Sequence, residues 1–123
     1  MPTARLEHVN ISVTDPERIA RLLEAITGWE RRWEGPALAG GHTIHLGGQD
    51  DYVAIYTHPS VQGDFAKGAP LNHVGIVVTD LDAAERIILD AGLETMNHGD
   101  YEPGRRFYFF DWDGIEWEIV SYE

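Results

Sequence analysis

Cysteine is absent from this chain of 123 residues, which removes disulfides, thiolate metal sites and cysteine nucleophiles at once. Any bound metal must therefore rely on His, Asp and Glu. Basic residues are scarce: 9 Lys and Arg stand against 21 Asp and Glu, a formal net charge of −12. Such a surface repels nucleic-acid phosphates and anionic membranes, so neither is expected as a partner, and a small organic substrate or a cation is. Surplus acid alone speaks first for solubility. Long apolar runs are also missing. The start, Met1 to Leu6, has neither the basic end and apolar run of a signal peptide nor anything long enough to span a bilayer, and a soluble cytoplasmic protein is expected. With 43% hydrophobic residues over this length, a single domain with a core of ordinary size is the expectation.

What is present is a repeat. Leu6-Glu7-His8-Val9-Asn10-Ile11-Ser12-Val13-Thr14-Asp15 overlays Leu71-Asn72-His73-Val74-Gly75-Ile76-Val77-Val78-Thr79-Asp80 with seven identities in ten positions, the mark of a duplicated unit. The register continues. Pro16 to Ile26 and Leu81 to Ala91 both read as helix, each started by an Asp that can cap it and closed on a glycine, Gly28 or Gly92. Short β-rich runs follow: Trp29 to Trp33, His42 to Leu46 and Tyr52 to Thr57, then Glu94 to Met96, Arg106 to Phe110 and Ile115 to Ser121. Each copy is thus βαβββ, with module one expected over about 5–58, a Pro- and Gly-containing linker over about 59–70 and module two over about 71–123.

The opening strand of each copy alternates with the period of a half-buried strand. Val9, Ile11 and Val13 face one way in the first copy, and His8, Asn10 and Ser12 the other; Val74, Ile76 and Val78 likewise oppose His73, Gly75 and Val77. Each helix carries one apolar stripe, Ile19, Leu22, Leu23 and Ile26 or Ala84, Ile87, Ile88 and Ala91, which must cover the apolar side of its sheet. The uncovered side then carries His8 and His73. In the last strand Ile115, Trp117 and Ile119 oppose Glu116, Glu118 and Val120, so two carboxylates share that side with two imidazoles. Two neutral imidazoles and one carboxylate form a ligand set for non-haem Fe(II), and also for Zn, Mn, Co or Ni. The plainer alternative is a pair of hydrogen-bonded histidines inherited by duplication.

These residues resemble the vicinal oxygen chelate superfamily of glyoxalase I, extradiol dioxygenases, fosfomycin-resistance transferases and bleomycin-resistance proteins. The likeness spans nearly the whole chain. It rests on the two His-containing openings and on the ending Phe107-Tyr108-Phe109-Phe110-Asp111-Trp112-Asp113-Gly114-Ile115-Glu116-Trp117-Glu118-Ile119, in which Glu118 stands four residues after the turn glycine, at the place of the family's metal-binding glutamate. Trp112 replaces the usual proline of that turn, and Asp113-Gly114 can still make the hairpin. The resemblance implies a glyoxalase-like α+β fold in which two tandem βαβββ modules form a mixed, curved, incompletely closed sheet with helices outside. It also implies a divalent metal held by His8, His73 and Glu118, and a small substrate that chelates the metal through neighbouring oxygens.

Within the family, the resemblance separates the branches unevenly. Glyoxalase I-like members take a fourth ligand from the last strand of the first module, where this chain has Ala54. Fosfomycin-type members usually carry Thr two residues after the first histidine, where Asn10 stands. Tyr108, ten residues before Glu118, resembles the active-site tyrosine of extradiol dioxygenases. Extradiol-type oxygen insertion with Fe(II) is therefore the leading expectation. A lyase, isomerase or transferase using Zn, Ni, Mn or Co follows it, then a metal-free binding protein like the drug-sequestering members, which generally lack the ligand residues kept here. The family also implies a homodimer, with the site built within one chain or across two. Asn10, His45, Tyr56 and Arg106 are the expected substrate-binding residues. His45 or His98 can serve as a base, Arg105 or Arg106 as a clamp for a substrate carboxylate or as partners of surface acids, and Trp33 as a pocket wall.

Overall fold

The computed structural model describes residues 3–101 and 104–123, with the side chains of Leu38 and Tyr101 left aside. Met1 and Pro2, the first two residues of the stretch read above for a leader, lie outside the described residues, as do Glu102 and Pro103.

The first module runs β1 (His8–Ser12), α1 (Pro16–Thr27), β2 (Glu30–Pro36), a 3-10 turn (Leu38–Gly40), β3 (His42–Gly47) and β4 (Tyr52–Thr57). Its four strands form a mixed sheet in the order β1-β4-β3-β2, with β1 parallel to β4 and the other pairs antiparallel. The second module repeats this with β5 (Val74–Val77), α2 (Leu81–Asp90), β6 (Thr95–Tyr101), β7 (Gly104–Phe110) and β8 (Glu116–Ser121), in the order β5-β8-β7-β6. Neither sheet closes into a barrel, and the α+β class with two tandem βαβββ modules is as the sequence implied. By compactness the chain divides into a unit of residues 1–24 and 28–62 and a unit of residues 25–27 and 63–123.

Both helices start as the duplicated Thr-Asp pair suggests. Asp15 Oδ1 accepts from the Arg18 amide at 3.2 Å and Asp80 Oδ1 from the Ala83 amide at 3.0 Å, each satisfying a donor that the helix leaves open. Gly28 and Gly92 end them with φ of +74° and +88°, a region open to glycine at little cost. The alternation in the opening strands is real: Ile11, Val13 and Ile76 are buried, while His8, Asn10, Ser12 and Gly75 are exposed.

Strands β2 and β6 run past their expected ends at Trp33 and Met96. Each absorbs an irregularity, between Arg31 and Trp33 and between Met96 and Gly99, where Asn97 adopts φ +54°. A bulge lets pairing resume beyond a residue that would otherwise end the strand.

The β7–β8 turn is organised by Asp111. Its Oδ1 accepts the amides of Asp113 (2.9 Å) and Ile115 (3.0 Å), and its Oδ2 accepts the Trp117 indole N–H at 2.9 Å. Gly114 supplies φ +87°, so Trp112 in place of proline leaves the turn intact. Trp117, Phe107, Phe109 and Ile119 are fully buried in this module, each contributing about 1.5–3 kcal/mol of burial free energy or more for the larger rings. The turn thus fixes the register that places Glu118 opposite Tyr108.

Candidate functional site

In the second module, four of the expected residues meet. Strand β8 presents Glu116 and Glu118 on one side, β7 presents Arg106 and Tyr108 beside them, and His73 stands directly before β5, which pairs with β8. His73 Nε2 lies 3.0 Å from Glu118 Oε1. Arg106 donates from a guanidinium nitrogen to Glu118 Oε2 at 2.9 Å, and the Tyr108 ring meets His73 edge-on, with centroids 5.6 Å apart. The side chains of Arg106 and Glu118 are each only 13% exposed, so this ion pair is shielded from screening and holds the carboxylate in one orientation.

Both nitrogens of His73 face oxygen. Nδ1 lies 2.7 Å from Asn72 Oδ1 while Nε2 faces Glu118. A neutral imidazole has one N–H, so Nε2–H towards Glu118 pairs with the amide NH2 end of Asn72 at Nδ1, whereas the amide oxygen at Nδ1 goes with a second ring proton or a cation at Nε2 and Oε1. The 3.0 Å separation is that of an ordinary N–H···O hydrogen bond, and it is also compatible with two ligands about 2.1 Å from one ion at about right angles. Among the described residues, no group of three or more His, Asp and Glu side chains is arranged to hold a metal. His73 and Glu118 are thus a two-donor fragment whose N and O atoms fit a divalent first-row ion.

Glu116 is nearly buried, its side chain 3% exposed, and Lys67 from the inter-module segment brings Nζ to 2.7 Å from its Oε1. That contact is an ion pair without a well-aligned hydrogen bond, which leaves Oε1 reliant on charge compensation. The segment carrying Lys67 is held to the β7–β8 turn by the Phe65 amide, which donates to the Asp113 carbonyl at 3.0 Å.

The first module carries a different set on the corresponding side. His8 stacks on Tyr52 (4.9 Å), His45 stacks on the same ring (4.6 Å), and Trp33 tilts against His45 (5.2 Å), so a row of rings crosses β1, β4, β3 and β2. The Arg32 guanidinium lies 4.7 Å from the Tyr52 centroid, a cation–π contact. Asn10 stands on the same side and pairs in register with Ala54. Tyr56 lies farther along β4 and stacks on His58 rather than joining the row. Burial pushes the His45 imidazole below the usual histidine range, and the charges of His8 and Arg32 add to the shift.

Register makes the duplication quantitative. Ala54 is to Asn10 what Glu118 is to Gly75, and His45 is to Ala54 what Tyr108 is to Glu118. The first module therefore has alanine where the second has its carboxylate. His98 is engaged by a hydrogen bond with Glu85 and Arg105 by an ion pair with Asp82 at 2.9 Å, both acids lying on α2. A surface cavity lined by Val77, Thr79, Ala83, Ile87 and Tyr122 contains none of the expected site residues. Sequence reasoning overlooked Glu7, Asn72, Tyr52 and Lys67. The first two were signalled by their place before the repeated histidine, whereas Lys67 carried no signal because its contact depends on how the segment folds back.

No helix among the described residues is long and apolar enough to cross a membrane. No curated protein sequence matches the chain. Its fold is shared with a glyoxylase/bleomycin resistance protein/dioxygenase domain from Frankia sp. EAN1pec, at 21% identity and a TM-score of 0.82 over 98% of both chains. It is also shared with the fosfomycin resistance protein FosX from Mesorhizobium loti, at 23% identity and a TM-score of 0.73 over 98% of this chain and 92% of that one. FosX from Listeria monocytogenes, solved as a variant with Mn(II) and 1S,2S-dihydroxypropylphosphonic acid, is 19% identical with a TM-score of 0.75, over 98% of this chain and 93% of the other. The sequence itself matches one protein family over residues 5–119, and the chain belongs to that family, the Glyoxalase/Bleomycin resistance protein/Dioxygenase superfamily.

Proposed function

We propose that the protein is a divalent-metal-dependent enzyme acting on a small organic substrate that chelates the metal through neighbouring oxygens, with extradiol-type dioxygenation as the leading reaction. The observation that carries this reading is the His73–Glu118 pair, an imidazole and a carboxylate at 3.0 Å, with Asn72 at the other ring nitrogen. His73 and Glu118 would hold the ion, and His8 would be the third donor, from its own chain or from a second copy in a cytoplasmic homodimer. When bound, Fe(II) would supply Lewis acidity and access to oxygen chemistry.

The chain's own residues have separable roles under this reading. Arg106 holds Glu118 with Oε1 turned towards His73 and is placed to attract an anionic substrate. Tyr108, edge-on to His73, is the group placed to donate or accept a proton at its phenolic oxygen. His45, whose pKa is lowered chiefly by burial, is the group that would accept a proton, and Asn10 and Tyr56 contribute polar contacts to substrate. The ring row of Trp33, His45, Tyr52 and His8 suits a planar aromatic substrate.

A second reading, non-redox opening or transfer with Mn(II), is favoured by the fold shared with FosX and its Mn(II)-containing structure. The test is anaerobic loading with Fe(II) or Mn(II), followed by oxygen uptake with a catechol panel and product analysis with an epoxide phosphonate. Oxygen uptake that is lost in His73→Ala and Glu118→Gln supports the leading reaction. Turnover of the phosphonate alone moves the assignment to the second. Absence of stoichiometric metal binding in the unsubstituted protein sinks both.

A further inference from the structure

We infer that Glu7 and Asn72 are positioning residues: each takes the Nδ1–H of the histidine that follows it, so that His8 and His73 present Nε2 outward as the donor atom. This inference rests on the metal reading above for its purpose, but its geometry stands without it. Glu7 Oε1 lies 2.7 Å from His8 Nδ1, and Asn72 Oδ1 lies 2.7 Å from His73 Nδ1. The two contacts fall at the same place in the repeat and have the same length.

The repeat itself supports a role. Positions 7 and 72 are among the three of ten at which the two copies differ, yet both residues bring an acceptor oxygen to the same ring nitrogen. The identity changed while the hydrogen-bonding partner was kept. At His8 the assignment follows from chemistry alone, because a carboxylate only accepts, and Nδ1 must then carry the proton. At His73 the Glu118 carboxylate likewise only accepts, so Nε2 carries the proton towards it while no cation is bound, and Asn72 takes Nδ1–H once a cation at Nε2 replaces that proton. The hydrogen bond with His8 holds the Glu7 carboxyl below the usual carboxylate range. Metal-bound histidines commonly donate their second N–H to such an acceptor, which fixes the tautomer and raises the basicity of the ligating nitrogen. The two imidazoles thus differ in the partner that precedes them, a carboxylate at His8 and an amide at His73, while His73 has the carboxylates of Glu118 and Glu116 at 3.0 and 3.7 Å.

The contacts can be removed without disturbing the strands. Glu7 is exposed, and its role in the sheet is through its carbonyl, which accepts from the Tyr52 amide at 3.0 Å. The experiment uses the full 15N-labelled chain, with ring tautomers read from long-range proton–nitrogen correlations at alkaline pH and signals assigned from His8→Gln and His73→Gln. In the metal-free protein His8 is expected as the Nδ1–H tautomer. Glu7→Ala should shift it towards Nε2–H, and Glu7→Gln, which keeps an acceptor oxygen, should restore it. In the Zn(II)-loaded protein His73 should carry its proton on Nδ1. Asn72→Ala and Glu7→Ala should each weaken Zn(II) binding by about tenfold or more, with Asn72→Asp and Glu7→Gln recovering most of it. His8 found as Nε2–H in the unsubstituted protein, or a tautomer unmoved by Glu7→Ala, overturns the inference. If His8 behaves as expected but Zn(II) and Mn(II) fail to bind any form, the positioning role of Glu7 holds and the metal reading fails.

Discussion

Asp111 shows how much one side chain can organise. Its carboxylate takes two turn amides and the indole of Trp117, all within a buried turn. Burial pushes its carboxyl above the usual aspartate range, against the three donors that pull it down. Removing the acceptor leaves three donors unsatisfied out of water, each costing about 1–3 kcal/mol when unrelieved and less when water can enter. Asp111→Ala is therefore expected to destabilise the chain by about 3 kcal/mol or more, measured as a lower urea midpoint with unchanged slope. Trp117→Phe removes one donor together with part of a fully buried ring, so lost burial and a cavity add to the lost contact, and it should cost about 2–4 kcal/mol. A loss from Asp111→Ala of less than about 1 kcal/mol would show that the turn amides do not depend on this carboxylate. Nothing in the sequence distinguished Asp111 from the other acids of the turn except its resemblance to a family pattern; its partners are set by a chain reversal that periodicity does not report.

At the scale of elements, legibility followed chemistry that is local. Asp15 and Asp80 were readable as helix starts because the donor they satisfy lies three residues on, and the strand faces were readable because side chains alternate. The extents of β2 and β6 were not, since resumption after a bulge depends on pairing with β3 and β7. The candidate site divides in the same way. His73 was identified from the repeat and Glu118, ahead of Glu116, from the resemblance to the family's ending, and their 3.0 Å contact follows from the β5–β8 pairing. The Lys67–Glu116 pair was invisible, because it joins a non-repeated segment to a strand. The duplicated caps permit an internal comparison. Asp15→Ala and Asp80→Ala should each cost about 1 kcal/mol, with Asp→Asn at either place nearly neutral. Urea unfolding of the four variants checks this; a loss confined to one module would mean that the other helix is held by packing alone.

The whole molecule carries a net charge of −12, and its response to acid is set by two opposing effects. Proton uptake reduces that charge and relieves self-repulsion, which favours the fold. Against this, His45 has a folded value below the 6.5 of a free histidine, so the folded state binds fewer protons there and stability is lost as pH falls from 6.5 towards the lowered value. Glu7, Glu17 and Glu85, all lowered, act further down, against Asp111, whose raised carboxyl favours the fold as pH falls. Glu17 is lowered chiefly by its hydrogen bond from Arg31, and Glu85 by its bonds from Thr95 and His98. Their contribution is complete above the free value of 4.5 and disappears as pH falls through the lowered folded values. Above 4.5 the relief of repulsion offsets the single histidine, and below it the specific carboxylate contacts dominate, because they are short and act regardless of the long-range field. Stability should therefore vary little between pH 7 and 4.5 and fall steeply below. Urea midpoints across that range check the shape, and the paired variant Glu17→Gln, Glu85→Gln should be less stable at pH 7 with a shallower acid decline. An unaltered decline in that variant would assign acid lability to other carboxylates and leave these two contacts without a role in it.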